Sequence, residues 1–185
     1  MILTASQRGF TLAETLTALA IVGLGLFLAV PGLDSLARSS RLAESVNQLV
    51  TTMHLARSEA VTRNARVTVC ASGDGAHCEG QAWEQGWIAF LDADADAEHG
   101  PAEEVLDRVA GLTGTTVRSA EFPGAFSFQP TGRVTTAGQD TASGRFAFCE
   151  PQAREAARLV ILRANGLPTL SQDVHPKSAG DCPTS

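Results

Sequence analysis

Residues 15 to 33 carry no charged side chain, and 14 of the 19 residues from Leu12 to Val30 are apolar. About 20 apolar residues suffice for a helix to cross the hydrocarbon core of a bilayer, so the run predicts a single membrane anchor. A buried core helix and a cleaved secretory signal are the competing readings. For the latter, Ser35-Leu36-Ala37 offers small residues to a signal peptidase, which would leave Arg38 as the new N-terminus. Against it, such signals have an apolar core of about 7 to 15 residues, shorter than this run.

Glu14 stands against the N-terminal edge of the run, between Leu12, Ala13 and Leu16. A carboxylate costs about 2.5 to 3.5 kcal/mol at the centre of a bilayer, so it either rests at headgroup level or has a partner. Outside the run the chain is about 40% apolar, ordinary for a folded domain. Its 185 residues suit one domain with an appendage. The net charge of −6 comes from one place: Asp92 to Asp107 holds seven acids and no Lys or Arg. These averages exclude a disordered polyanion, a multi-span membrane protein and a histone-like basic protein.

Beyond the run, Leu42, Val46, Leu49, Val50, Met53, Ala56 and Ala60 recur at steps of three or four, with Arg41, Glu44, Gln48, Arg57, Glu59 and Arg63 among them. One helix from Phe10 to about Asn64 would be roughly 80 Å long at about 1.5 Å per residue. Glu59 and Arg63 are spaced for a one-turn ion pair. After Asn64 the chemistry turns to strands: Arg66 to Ala71, Trp87 to Leu91, Val105 to Val109, Thr115 to Arg118, Ala125 to Phe128, Arg145 to Cys149 and Leu159 to Arg163. Turn residues such as Ser72-Gly73-Asp74-Gly75, Pro130-Thr131-Gly132 and Asn165-Gly166 separate them. The fold class predicted is α+β, a long N-terminal helix packed on an antiparallel β-rich head.

Arg8-Gly9-Phe10-Thr11-Leu12-Ala13-Glu14 resembles the type III signal sequence of type IV pilins and type II secretion pseudopilins. The resemblance implies that a prepilin peptidase cuts between Gly9 and Phe10 and methylates the new amine of Phe10. It also implies a partner for Glu14, the N-terminal ammonium of a neighbouring subunit during filament assembly. Leu55-Ala56-Arg57-Ser58-Glu59-Ala60-Val61-Thr62-Arg63-Asn64, Val67-Thr68-Val69-Cys70, Trp83, Gly86-Trp87-Ile88-Ala89-Phe90, Phe128-Gln129-Pro130-Thr131-Gly132 and Phe146-Ala147-Phe148-Cys149 further resemble the GspH/FimT minor pilins. The implied organisation is a leader at 1–9, a transmembrane or filament-core helix at 10–33, an amphipathic helix at 34–64 and a β-rich head at 65–185. The expected setting is the inner membrane with the head in the periplasm, then a filament. The implied partners are the prepilin peptidase and other pilins or pseudopilins.

All four cysteines follow residue 69, on the far side of the expected anchor, where disulfides persist. Three connectivities are open. The favoured one joins Cys70 to Cys78 around a short Gly-rich loop and Cys149 to Cys182. His77 beside Cys78 matches no standard zinc spacing, and His54, His77, His99 and His175 read as scattered surface residues. Asp92, Asp94, Asp96 and Glu103 fall at positions 1, 3, 5 and 12 of a calcium-loop pattern, with Ala97 where position 6 calls for Gly. Strand-like flanks exclude an ordinary EF-hand, and a solvated acidic hairpin tip is the rival reading.

Some relatives take up DNA through a Gly-Arg-x-Arg motif, whose place here falls to Asn165-Gly166-Leu167-Pro168-Thr169, without either arginine. Arg133, Arg154, Arg158 and Arg163 are the candidates for a substitute patch. There is no Gly-x-Ser-x-Gly, HExxH, Walker or dinucleotide-binding pattern, so the chain reads as no enzyme, with no resident cofactor expected.

Overall fold

The computed structural model describes residue 9 and residues 11–80, 82–136, 141–149 and 156–171, with side chains given except at 26–35 and 156–157. Helix α1 runs over Leu12–Arg63. Thr11 caps it: its side-chain Oγ1 accepts the Glu14 backbone N–H at 3.3 Å, satisfying a donor that has no partner within the first turn. At the far end Asn64 takes φ 51°, and the Ala65 N–H reaches back to the Ala60 carbonyl at 3.2 Å. That six-to-one bond is a Schellman closure, and Asn is among the few residues that tolerate the left-handed step it needs.

The chain divides into two units, Met1–Ser39 and Ser40–Ser185. In the second, nine strands follow the helix among the described residues: β1 (Val67–Ala71), β2 (Gly86–Leu91), β3 (Val105–Ala110), β4 (Thr116–Arg118), β5 (Ala125–Phe128), β6 (Val134–Thr135), β7 (Gly144–Cys149), β8 (Ala156–Leu162) and β9 (Pro168–Ser171). They form two antiparallel sheets, ordered β3-β2-β1-β5-β6 and β4-β7-β8-β9. The seven strand-like runs of the sequence all lie here. Two strands had no clear signal. β6 is too short to show a period, and β9 opens on Pro168, tolerated because β9 is an edge strand.

Leu42, Val46, Leu49, Met53, Ala56 and Ala60 are buried in one core with Val67, Val69, Trp87, Phe128, Phe146 and Val160, so the helical stripe meets both sheets. An aromatic cluster fills its centre: the Trp83 ring lies 5.2 Å from Phe146 edge to face, and Phe122 stacks on Phe146 at 5.5 Å. Both indole N–H groups find acceptors. Trp83 Nε1 donates to the Phe122 carbonyl at 2.9 Å, and Trp87 Nε1 donates to Thr52 Oγ1 at 3.0 Å, which donates in turn to Asp107 Oδ2 at 2.6 Å. β1 is buried on both faces. Its residue Cys70 joins Ile88 and Phe90 in a second, smaller apolar cluster, with Cys78, Val105 and Ala125 packed against it.

Candidate functional site

In the first unit, Leu12, Leu16, Leu19, Ile21, Val22 and Leu24 are 57% to 81% exposed. At about 100° per residue these six point all round the helix rather than along one stripe, the pattern of an element surrounded by apolar neighbours. Burying a large apolar side chain gains about 1.5 to 3 kcal/mol, so leaving six in water forfeits on the order of 10 kcal/mol. Glu14 is exposed in the first turn, and its carboxylate accepts no hydrogen bond from a described residue. Gly9 is exposed and non-helical, ahead of the Thr11 cap. Phe10 and the leader residues before Gly9 lie outside the described residues. Among the described residues no helix is long and apolar enough to cross a membrane. The apolar run itself continues past residue 25 into side chains that are not among them.

In the head, Cys70 and Cys78 are joined by a disulfide with Cα atoms 5.5 Å apart. Inside that loop the Asp74 carboxylate accepts the backbone N–H groups of Ala76 (2.7 Å) and His77 (2.9 Å) and faces His77 Nδ1 at 2.7 Å. His77 and these two amides hold the Asp74 carboxyl well below the usual carboxylate range. The hydrogen bond to Asp74, and then its charge, push the His77 imidazole up from its ordinary 6.5. Cys149 is not a free thiol, and Cys182 lies outside the described residues.

The acidic loop follows β2. Asp92, Asp94 and Asp96 each bring a carboxylate oxygen to within 4.8 Å of the others. Asp92 is buried, and Asp94 and Asp96 are exposed. Glu103 is not drawn into that group. It closes the loop instead, accepting the N–H of Ala93 at 2.8 Å and of Gly100 at 2.9 Å. His99, expected at the surface, is half-buried: its ring meets Phe90 edge to face at 5.2 Å, with Nδ1 2.6 Å from the Ala76 carbonyl and Nε2 3.2 Å from the Glu103 carbonyl. The ring thereby ties the acidic loop to the disulfide loop. A lone histidine between Glu98 and Gly100 carries no sequence signal for that contact.

Arg57 has a structural role that its place in the sequence does not signal. Its Nε donates to the carbonyls of Gly132 and Asn165, each at 3.3 Å, so one helix residue holds the turn before β6 and the turn between β8 and β9. The candidate arginines for a basic patch do not converge. Arg158, opposite Phe148, and Arg163, just past the other end of β8, are five residues apart, roughly 17 Å along an extended strand. Arg133 adjoins the Arg163 end, since the Val134 N–H bonds the Ala164 carbonyl. Arg154 lies outside the described residues. Arg63 completes the predicted pair with Glu59 at 2.5 Å and also bonds Glu104 at 2.8 and 3.4 Å.

Comparison with known proteins adds two family matches. The model of the type II transport protein GspH matches residues 45–166, and that of the prokaryotic N-terminal methylation motif matches residues 4–30. A pilin-like protein, PilA1, of Thermus thermophilus is 36% identical over 101 residues, covering 54% of this chain. The chain spans little more than half of that relative's length, 57%. Two crystal structures of the type IV minor pilin FimU of Pseudomonas aeruginosa share the fold, with TM-scores of 0.55 and 0.54 at 18% identity. They cover 72% and 70% of this chain, and 90% and 91% of theirs.

Proposed function

The chain belongs to the GspH family of type II transport proteins, and on that premise we propose that it is a minor pilin or pseudopilin that works by assembly. A prepilin peptidase cuts between Gly9 and Phe10 and methylates Phe10. The helix anchors the subunit in the inner membrane with the head in the periplasm. It then joins other pilins or pseudopilins at or near the tip of a type II secretion pseudopilus or type IV pilus. The family is structural rather than catalytic, and the head is a disulfide-bonded cap, with Cys149 paired to Cys182.

The observation that carries this reading is the apolar surface from Leu12 to Leu24, exposed on every side with one carboxylate at its start. Lipid covers such a surface before assembly, and the helices of neighbouring subunits cover it afterwards. Glu14 then sits in an apolar core where an unpaired charge is costly. The methylated ammonium of an adjacent Phe10 is the matching cation. Docking in any other axial register leaves both charges unpaired.

Glu14→Ala separates assembly from processing. The reading predicts a variant cleaved and methylated like the parent and equally abundant in the membrane, yet depleted at least tenfold from sheared filaments. Incorporation at the parent level would overturn the role given to Glu14.

A further inference from the structure

We propose that the loop from Asp92 to Asp96 binds a calcium ion. Convergence of exposed acids alone would be an ordinary solvated tip. Asp92 differs from its two neighbours because it is 2% exposed, at the end of β2, where its N–H bonds the Arg66 carbonyl at 3.0 Å. One carboxylate oxygen, Oδ2, accepts a hydrogen bond from Thr68 Oγ1 at 2.5 Å, and Thr68 is backed by Ser127 Oγ at 2.7 Å. The other, Oδ1, is buried and has no hydrogen-bond partner. No basic side chain pairs with Asp92 among the described residues.

A buried carboxylate oxygen with neither a donor nor a counter-ion is a costly arrangement, since the lost hydration is not replaced. Oδ1 belongs to the same carboxylate that approaches Asp94 and Asp96, so a cation held by those three groups supplies what it lacks. Three carboxylates are hard oxygen ligands suited to calcium, which completes its shell of 6 to 8 oxygens with carbonyls and water. The preference for calcium over magnesium follows from a short, partly exposed loop, which meets an irregular shell more readily than a strict octahedron.

The backbone agrees with this assignment. Ala95 and Ala97 take φ 66° and 63°, two left-handed steps that turn the chain tightly between and just after Asp94 and Asp96. The Glu98 N–H holds Asp96 Oδ1 at 2.7 Å, and the Asp96 N–H reaches Asp94 Oδ1 at 3.4 Å. Glu103, occupied by two loop amides, is a positioning residue rather than a ligand. The site is therefore a three-aspartate cradle on a hairpin, distinct from an EF-hand. Through Glu103 and His99 it would fix the loop over the Cys70–Phe90 cluster.

The test uses the full chain in detergent, stripped with EGTA and titrated with calcium chloride by calorimetry and thermal melting. Expected is saturable binding with Kd of about 10⁻⁴ to 10⁻³ M, the range of extracellular calcium modules. At ten times Kd the melting temperature should rise by about 3 to 6 °C. The double variant Asp94→Asn/Asp96→Asn, altered only at exposed positions, should lose at least tenfold in affinity while melting like the calcium-free parent. Absence of heat and of any shift up to about 10 mM calcium would overturn the proposal, being well above that range. So would an equal shift with magnesium, with sodium chloride of matched ionic strength, or in the double variant.

Discussion

Asp74 and His77 give the disulfide loop its own pH dependence. His77 is raised above 6.5 by its hydrogen bond to Asp74, so what it adds to stability is fully present below 6.5 and is lost as pH rises through the raised value. Asp74 is lowered, so its contribution is present above its ordinary 3.8 and is lost only as pH falls through its depressed value. The ion pair is therefore complete in mildly acidic solution and weakens toward neutral and alkaline pH. Both side chains are substantially exposed, and the effect on overall stability is small. Proton NMR titration should place His77 above 6.5, and Asp74→Asn should bring it back toward 6.5. A parent midpoint at or below 6.5 would contradict the contact.

At the scale of elements, the second half of α1 braces the two sheets as well as supplying apolar area. Arg57 reaches the Gly132 and Asn165 carbonyls, and Gly166 at φ 78° makes that approach possible. A Cβ on Gly166 would land on the Gly132 carbonyl oxygen and lie 2.9 Å from Arg57 Cδ. Gly166→Ala should therefore cost about 2 to 3 kcal/mol, combining a disfavoured φ with an overpacked contact. Urea denaturation of the full chain in detergent measures it, and a loss below about 0.5 kcal/mol would show that the two turns yield freely. The helical stripe was legible because burial against sheets imposes a period, and Leu42 through Ala60 keep it. The Asn64 stop was legible too, because few residues adopt the left-handed step. Arg57 was not, since its acceptors are backbone carbonyls far along the chain, and these leave no mark on side-chain pattern. β6 and β9 escaped for a related reason: two residues show no alternation, and a leading proline argues against a strand until its edge position is known.

On the scale of the whole molecule, the two units carry different chemistry. The first turn presents Glu14 among exposed leucines, and the head gathers seven acids without a Lys or Arg between Asp92 and Asp107, beside aromatic and disulfide contacts. The N-terminal methylation motif, matched at residues 4–30, was readable because such a motif is written in contiguous residues and needs no tertiary contact to be recognised. The acidic loop was half readable. Spacing brought Asp92, Asp94 and Asp96 together, but Asp92 is held by Thr68, backed by Ser127, in distant strands, and Glu103 turns to the loop amides of Ala93 and Gly100, neither of which the spacing shows. The central claim, that this helix is made to be processed and then assembled, is tested most directly by mass spectrometry of the N-terminal peptide from membrane-extracted protein. The account predicts a chain beginning with N-methylated Phe10, and a chain beginning at Arg38 would contradict it.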